Sequence, residues 1–357
     1  MSIQVSHLRD LSFEALVSKA SSLGIDNAGN LRHSELILEV IRILFQKERV
    51  AQGSANISID GLLEVLPDGF GFLRSPISEF APSVEDIYVS PSQIRRFNLR
   101  TGDWVQGDAR LPRDNERYLA LLRISSVNDN HPEHEKGRLL FDSMSSAKDL
   151  PQLSISESCV KEWQDWISKN PQSNGESLIL SIDGNVSVSD LLVDWGSQIN
   201  ADVLLAFIEG QEEEMLRLRR KGAQIYFSKM GENAGRHQQL IDIVGQKAQR
   251  LAEKGKDVVL FVDSLGTLAR VARDYAEEQE RSGVNSIGSN KVLELLGLSK
   301  VLDSGGSLSV LGVLRTTGRG VEQRVIDVLS SAKLKRVEID ATALVRGHRC
   351  PLSPLKQ

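Results

Sequence analysis

The stretch that decides the fold of this chain is Asp68–Gly69–Phe70–Gly71–Phe72–Leu73–Arg74, followed by Asp86–Ile87–Tyr88–Val89. Phe70 and Phe72 lie two residues apart, so on a β-strand both rings project from one face. The glycine between them leaves that face open to a flat ligand. Aromatic side chains beside an arginine form a surface on which unpaired bases stack, at ~1–3 kcal/mol per base. The alternative is that both phenylalanines are core residues, the commoner fate of phenylalanine in strands.

Two further segments follow, SPSQIRRFNLRTGD at residues 90–103 and NERY at residues 115–118. With the opening stretch they closely resemble the RNA-binding domain of the bacterial transcription termination factor Rho family, over residues 60–128. In that family the segment is a cold-shock-like, five-stranded barrel of the OB type that holds single-stranded, pyrimidine-rich RNA. The resemblance implies the same fold and ligand here. It also implies that the residues that stack on bases or read them are Phe70, Phe72, Arg74, Asp86, Tyr88, Glu116, Arg117 and Tyr118.

The composition is that of a globular chain of 357 residues, 40% of them hydrophobic, which predicts two or three domains. Cys159 and Cys350 lie far apart without metal-ligand spacing, so we expect a reducing compartment and no disulfide framework. Residues 1–4 contain neither a basic nor an apolar run, and we expect no signal peptide. No apolar stretch approaches the ~20 residues of a membrane span. We therefore predict a cytoplasmic protein without a membrane partner.

The net charge of −5 argues against a protein that binds nucleic acid through a broad basic surface. Even residues 58–130 hold more Asp and Glu than Lys and Arg. RNA binding there would depend on stacking and base-edge contacts, with little phosphate neutralisation.

The pattern along the chain predicts a multidomain protein. Apolar residues at helical spacing between residues 6 and 50 indicate a small helical domain. It is similar to the cap that precedes the barrel in Rho proteins, and a generic helical hairpin fits it equally well. Trp163 and Trp166 form an isolated pair in a polar segment that we interpret as a linker with one short helix. The predicted boundaries are 1–51 for the helical domain, 57–130 for the OB-type barrel, 131–176 for the linker, 177–345 for an α/β domain and 346–357 for a tail.

Apolar, β-rich runs alternate with helical stretches after residue 177, which predicts a parallel sheet covered by helices. These runs are Leu178–Ile182, Val203–Ile208, Gln224–Ser228, Val258–Val262 and Leu308–Leu314. The segments Gly235–His237, Asp263–Ser264 and Ser304–Leu308 resemble the RecA-like motor domain of the Rho family. The resemblance implies a RecA-like fold for the α/β domain.

The phosphate loop of such a motor is missing. A GxxxxGK[ST] loop should follow the first strand, because its backbone and lysine hold the nucleotide phosphates. The stretch 181–190 contains no such sequence, and Asp183 and Asp190 add negative charge. Ser187 or Ser189 could still offer a hydroxyl, although serine is ordinary turn chemistry.

The other catalytic positions are altered as well. Where the family has an acidic pair and an arginine after the second strand, this chain has Glu209–Gly210–Gln211. Glu209 or Glu212–Glu214 could replace the missing catalytic carboxylate. The alternative is that these residues are the solvated acidic start of a helix. Asp263 matches the family's Mg²⁺-binding aspartate and is interpreted as a vestige, and the arginine-finger position falls near Ala341 and Thr342, with Arg346 close by.

Two segments resemble the loops through which Rho grips RNA in its central channel. Residues 281–288 lack the family's lysine, and in Thr317–Gly320 the basic residue is displaced by one. Arg315, Arg319 and Arg324 are candidates to contact RNA or a neighbouring subunit, and a solvated basic turn is the alternative.

These features predict a Rho-like protein that binds single-stranded, C-rich RNA, needs no cofactor and modulates or antagonises Rho-dependent termination. Its expected partners are RNA, the transcription machinery, and Rho subunits or its own copies in a subunit ring. One alternative is an active RNA-dependent ATPase and helicase, which alone would need ATP and Mg²⁺. The others are a non-enzymatic protein-interaction module and a decayed paralogue of Rho.

Overall fold

The computed structural model describes residues 2–52, 56–113, 115–147, 149–184, 186–279, 284–316, 321–332 and 334–354. Contacts within the chain divide it into two units, Met1–Leu139 and Leu140–Gln357. Within the described ranges, every helix is too short or too polar to cross a membrane.

The first unit begins with a helical part that was predicted as residues 6–50. It contains a short strand and three helices: β1 (Ser2–Gln4), α1 (Val5–Arg9), α2 (Phe13–Ser22) and α3 (His33–Gln52). Leu16, Ile37 and Ile41 are fully buried and belong to the same hydrophobic cluster as the barrel residues Ile57 and Leu63. The helical part and the barrel therefore share one core.

The rest of the first unit is a closed barrel of five strands. Its elements are β2 (Asn56–Val65), β3 (Gly71–Arg74), β4 (Ile87–Val89), α4 (Pro91–Phe97), β5 (Trp104–Arg110) and β6 (Leu119–Val127). The strand order is β2-β3-β4-β6-β5, and β5 pairs with β2 to close the barrel, while β1 adds to β2 in parallel. This confirms the predicted OB-type architecture.

Two local features of the barrel place the strands that carry the candidate site. Gly107 lies where a Cβ atom would come 2.0 Å from the carbonyl oxygen of Arg123, so only glycine allows β5 and β6 to pair this closely. α4 begins with a capping box formed by Ser90 and Gln93. The buried Ile94 side chain of α4 packs close to Gly71, the residue that separates Phe70 and Phe72 in the sequence.

The second unit is a parallel sheet covered by helices. Its strands are β7 (Ser177–Ile182), β8 (Asp202–Gly210), β9 (Gln224–Lys229), β10 (Asp257–Val262), β11 (Lys300–Val301), β12 (Ser307–Arg315) and β13 (Lys335–Ile339). The order is β13-β7-β12-β10-β8-β9, with β11 antiparallel to β12. Its helices are α5 (Lys161–Lys169), α6 (Ser189–Ser197), α7 (Glu212–Arg219), α8 (Ala234–Glu253), α9 (Leu265–Glu278), α10 (Val284–Leu296), α11 (Val321–Ser331) and α12 (Ala341–Val345).

This arrangement confirms the RecA-like α/β fold, and all five predicted strands are present. β13 was not predicted. Its sequence, Lys-Arg-Val-Glu-Ile, alternates polar and apolar residues, because it lies at the edge of the sheet and buries only Val337 and Ile339.

α5 is the short helix expected in residues 131–176, but the interpretation of its tryptophans as an isolated pair in a linker is wrong. Trp163 is fully buried, and its ring stacks on that of Trp195 in α6 with centroids 5.2 Å apart. The indole of Trp166 contacts the same ring, and its Nε1 donates to the carbonyl oxygen of Ser353 at 2.9 Å. Part of the predicted tail is therefore packed too, since Leu352 forms a β-bridge to Ile339 at the end of β13.

Candidate RNA interface

Four aromatic side chains lie together on one face of the barrel, and we call Phe70, Phe72, Tyr88 and Tyr118 the aromatic platform. Phe72 pairs across strands with Tyr88, and their ring centroids are 6.1 Å apart. Phe70 precedes β3 and lies 5.8 Å from Phe72 and 5.7 Å from Tyr88, while Tyr118 precedes β6 and lies 4.8 Å from Phe72. All four are half-buried, and neither phenylalanine belongs to the buried core. The partly exposed rings suit the stacking of bases.

Arg74 lies beneath the aromatic platform in a buried group of charges. Its Nη1 atom is 2.5 Å from Asp86 Oδ2, its Nε atom is 2.6 Å from Glu64 Oε2, and its guanidinium carbon is 5.0 Å from the centre of the Phe72 ring. The side chains of Arg74 and Asp86 are only 5% and 1% exposed. Arg74 therefore orients Asp86 and contacts the ring of Phe72 on the same face of β3.

The two carboxylate oxygens of Asp86 differ in their partners. Its Oδ2 accepts hydrogen bonds from Arg74 and from the backbone nitrogen of Ser83 at 2.7 Å, whereas the buried Oδ1 has no hydrogen-bond partner among the described residues. Burial raises the pKa of Asp86 to about 6, and the charge of Arg74 opposes this shift. An unsatisfied buried acceptor is costly, so a donor that reached Oδ1 would bind favourably.

Glu116 and Arg117 lie on the exposed segment before β6. Glu116 accepts two hydrogen bonds from Arg110, at 2.5 and 2.8 Å, and one from the backbone nitrogen of Arg113. These hydrogen bonds lower the pKa of Glu116 to about 2, so its side chain is ionised at neutral pH. Arg117 is exposed.

Glu64, which is not among the predicted site residues, holds Arg74 from the neighbouring strand. Glu64 is the cross-strand partner of Phe72, so it lies on the face of the platform. A charged residue among the apolar residues of β2 was a visible signal, but its partner depends on the register of β2 and β3, which a single sequence does not show.

The loop after β7, where a phosphate loop would lie in a motor domain, is closed by an arginine of the same unit. Arg315, at the end of β12, donates from Nη1 to the carbonyl oxygens of Gly184 and Val186 at 3.0 and 3.1 Å. The backbone nitrogen of Thr316 donates to the carbonyl oxygen of Ile182. Arg315 was a candidate to contact RNA or a neighbouring subunit, and within its own unit it makes these two contacts to the loop.

The polar residues at the start of α6 are paired with α7 and the turn after it. Asp190 accepts two hydrogen bonds from Arg217 and one from Lys221, and these contacts lower its pKa to about 2. Ser187 bonds to Glu214 at 3.1 Å. The candidate hydroxyl of Ser187 and the candidate carboxylate of Glu214 thus hold each other.

At the carboxyl edge of the sheet, Asp263 and Glu209 also have partners within the unit. Asp263 Oδ1 accepts a hydrogen bond from the backbone nitrogen of Ile208 at 3.0 Å, and burial raises the pKa of Asp263 to about 7. Glu209 Oε2 lies 2.6 Å from Arg270 Nη2, on a backbone with φ 61°. Asp263 thereby joins β10 to β8.

The structure describes part of the two segments that resemble the channel loops. Residues 281–283 and the whole of 317–320, with Arg319, lie outside the described residues. Arg324 and Arg346 are exposed, and Ala341 and Thr342 begin α12.

The comparisons with known proteins agree with this geometry. The Rho termination factor RNA-binding domain family matches residues 59–133. Transcription termination factor Rho of Neisseria gonorrhoeae is 30% identical over 354 residues, which cover 95% of this chain and 83% of that protein. The factor of Chromobacterium violaceum is 31% identical with the same coverage. Among solved structures, the similarity to the ATP synthase subunit NeqB from Nanoarcheaum equitans covers 60% of this chain and 56% of that chain, at 13% identity and a TM-score of 0.49.

Proposed function

This chain belongs to the transcription termination factor Rho family, and on that premise we propose that it binds single-stranded, cytosine-rich RNA through the aromatic platform without hydrolysing ATP. The observation that carries the proposal is the combination of the four rings with the unpartnered Oδ1 of Asp86. Rings bind any base by stacking, so the carboxylate is the group that can select among bases.

Asp86 favours cytosine for a chemical reason. Cytosine carries an exocyclic amine at C4, which donates to a carboxylate, whereas uracil carries a carbonyl oxygen at the same position. A uracil there would face a negative oxygen with another acceptor. Arg74 keeps Asp86 in place and supplies the positive charge that offsets it.

The absence of ATPase activity is proposed from the groups at the carboxyl edge of the second unit. The residues there are not suited to bind Mg²⁺ and a nucleoside triphosphate. Arg315 bonds to loop carbonyl oxygens, the stretch 181–190 contributes no lysine, and Asp263 holds the backbone of Ile208. The resemblance puts Gly210 at the second position of the family's acidic pair, where a carboxylate would be expected to orient the attacking water.

Within transcription, the proposed role is antagonism of Rho-dependent termination in the cytoplasm. The protein would occupy the RNA on which Rho loads, or join Rho subunits in a subunit ring. Both routes follow from a family RNA-binding domain attached to a RecA-like unit without a phosphate loop.

The test is fluorescence anisotropy with labelled oligo(C) RNA and the full chain. The Phe70→Ala/Phe72→Ala variant should bind tenfold or more weakly, since each lost stacking contact costs ~1–3 kcal/mol. Phe13→Ala is the matched control, because Phe13 is a half-buried phenylalanine of the same unit that contacts His33, away from the platform residues. Equal affinity of the wild type and the double variant would exclude the platform as the RNA site. RNA-stimulated phosphate release at ~1 s⁻¹ or above would restore the ATPase alternative.

A further inference from the structure

We infer that Arg9 in α1 is a positioning residue for base selection, which acts on Asp86 through the neighbouring carboxylate of Glu85. The inference rests on the proposed binding of cytosine at Asp86. It extends the RNA site from the barrel to the helical part of the first unit.

Arg9 joins three segments of the first unit. It ends α1, and its side chain is only 6% exposed. Its Nη1 atom donates to the carbonyl oxygen of Asp60 in β2 at 2.8 Å and lies 3.3 Å from Asp60 Oδ1. Its Nε atom donates to Glu85 Oε2 at 3.2 Å. One buried guanidinium thus holds β2 and the turn that leads into β4.

That turn carries two adjacent buried carboxylates. The side chains of Glu85 and Asp86 are each 1% exposed, and each has its own cation, Arg9 for Glu85 and Arg74 for Asp86. The turn is closed by two hydrogen bonds between Ser83 and Asp86, one of which uses the Asp86 side chain. A displacement of Glu85 therefore moves the carboxylate of Asp86.

Removal of Arg9 would leave Glu85 as a buried charge without a partner. Such a charge either takes up a proton or turns towards water, because neither solvent nor a second cation compensates it. Turning towards water would open the turn at residues 83–86 and displace Asp86 Oδ1. The aromatic platform would keep its rings, so stacking would persist while the preference for cytosine declined.

The experiment compares affinities for oligo(C) and oligo(U) RNA among full-length variants by fluorescence anisotropy. Glu85→Gln removes the negative charge but keeps an oxygen that accepts from Arg9, so its preference for oligo(C) should match that of the wild type. Arg9→Met leaves the Glu85 charge unpaired, and Arg9→Met/Glu85→Gln removes that charge as well, so the pair tests whether the charge is the cause. We expect the ratio of oligo(C) to oligo(U) affinity to fall about fivefold in Arg9→Met, with oligo(U) affinity unchanged, and to recover in the double variant.

Arg9→Lys tests the forked geometry, since a lysine can hold one of the two partners at a time, and it should recover part of the ratio. Arg42→Met is the control, because Arg42 is a 41% exposed arginine of α3 that pairs with Glu39. An unchanged ratio in Arg9→Met, alongside a preference for oligo(C) in the wild type that Asp86→Asn abolishes, would overturn the role of Arg9. No preference in the wild type would instead contradict the proposed base reading at Asp86.

Discussion

At the scale of single residues, we expect Asp86 to make RNA binding depend on pH. Burial raises the pKa of this carboxyl to about 6, so it is ionised at pH 7.5 and largely protonated at pH 5.5. Only the ionised form can accept from cytosine at Oδ1 while it pairs with Arg74. Affinity for oligo(C) should therefore fall about fourfold between pH 7.5 and 5.5, in proportion to the ionised fraction. Glu64 and Glu85 are the other carboxylates around this pair, and the pKa shift includes the repulsion from Glu85.

The control is Asp86→Asn, which should bind more weakly and without this pH dependence, as measured by anisotropy across the same range.

The same residue has a linked effect on stability. Because its folded pKa lies above the unfolded value of 3.8, its contribution to the free energy of unfolding decreases as pH rises from about 4 to 6. If the unfolding free energy or the RNA affinity of Asp86→Asn changes with pH as much as that of the wild type, another group causes the pH dependence.

At the scale of elements, Arg315 holds the loop after β7 closed. Arg315→Ala should lower the free energy of unfolding by about 2 kcal/mol, because it removes two charge-assisted hydrogen bonds from partly buried carbonyl oxygens. We expect that neither the wild type nor this variant shows a thermal shift with ATP and Mg²⁺. Arg217→Ala removes an exposed pair with Asp190 and serves as the control, with an expected loss below ~1 kcal/mol. An ATP-dependent rise in Tm would contradict the proposed loss of the nucleotide site.

The packing of α5 gives a second prediction at this scale. Trp163→Ala should cost about 3–5 kcal/mol of unfolding free energy, because it leaves a cavity beside Trp195 in the core of the second unit. Leu150→Ala is the control from the same predicted linker, and its 46% exposed side chain should change stability by less than ~0.5 kcal/mol. Chemical denaturation followed by far-ultraviolet circular dichroism measures the unfolding free energy of both variants. Equal stability of the two variants would return α5 to the status of a linker.

At the scale of the whole molecule, addition of this protein should cause read-through at Rho-dependent terminators and leave intrinsic terminators unaffected. Competition for RNA follows mass action, so that effect should fade when Rho is in excess. Mixed subunit rings would act differently, because one subunit without a phosphate loop disables ATP sites that two subunits share. An in vitro transcription assay at several ratios of the two proteins measures the effect.

The Phe70→Ala/Phe72→Ala variant separates the two routes. If the variant no longer causes read-through, the wild type acts by competing for RNA. If the variant still causes read-through and co-purifies with Rho, it acts in mixed subunit rings. Intact RNA binding without read-through at any ratio would leave the antagonist role unsupported.

What the sequence alone determined is local. The spacing of Phe70 and Phe72, the alternation of the barrel strands and the apolar runs of the parallel sheet each follow from the periodicity of a few neighbouring residues. The absence of Gly-Lys-[Ser/Thr] in 181–190 is likewise readable without coordinates.

Only the tertiary structure decided which charges meet. Arg74 finds Glu64 across β2 and β3, Arg9 reaches Glu85 over 76 positions in the sequence, and Arg315 closes a loop 129 positions earlier. The tryptophans of α5 and α6 became core residues for the same reason. Strand register and helix packing bring distant side chains together, and the low dielectric of the buried space then requires each charge there to have a partner.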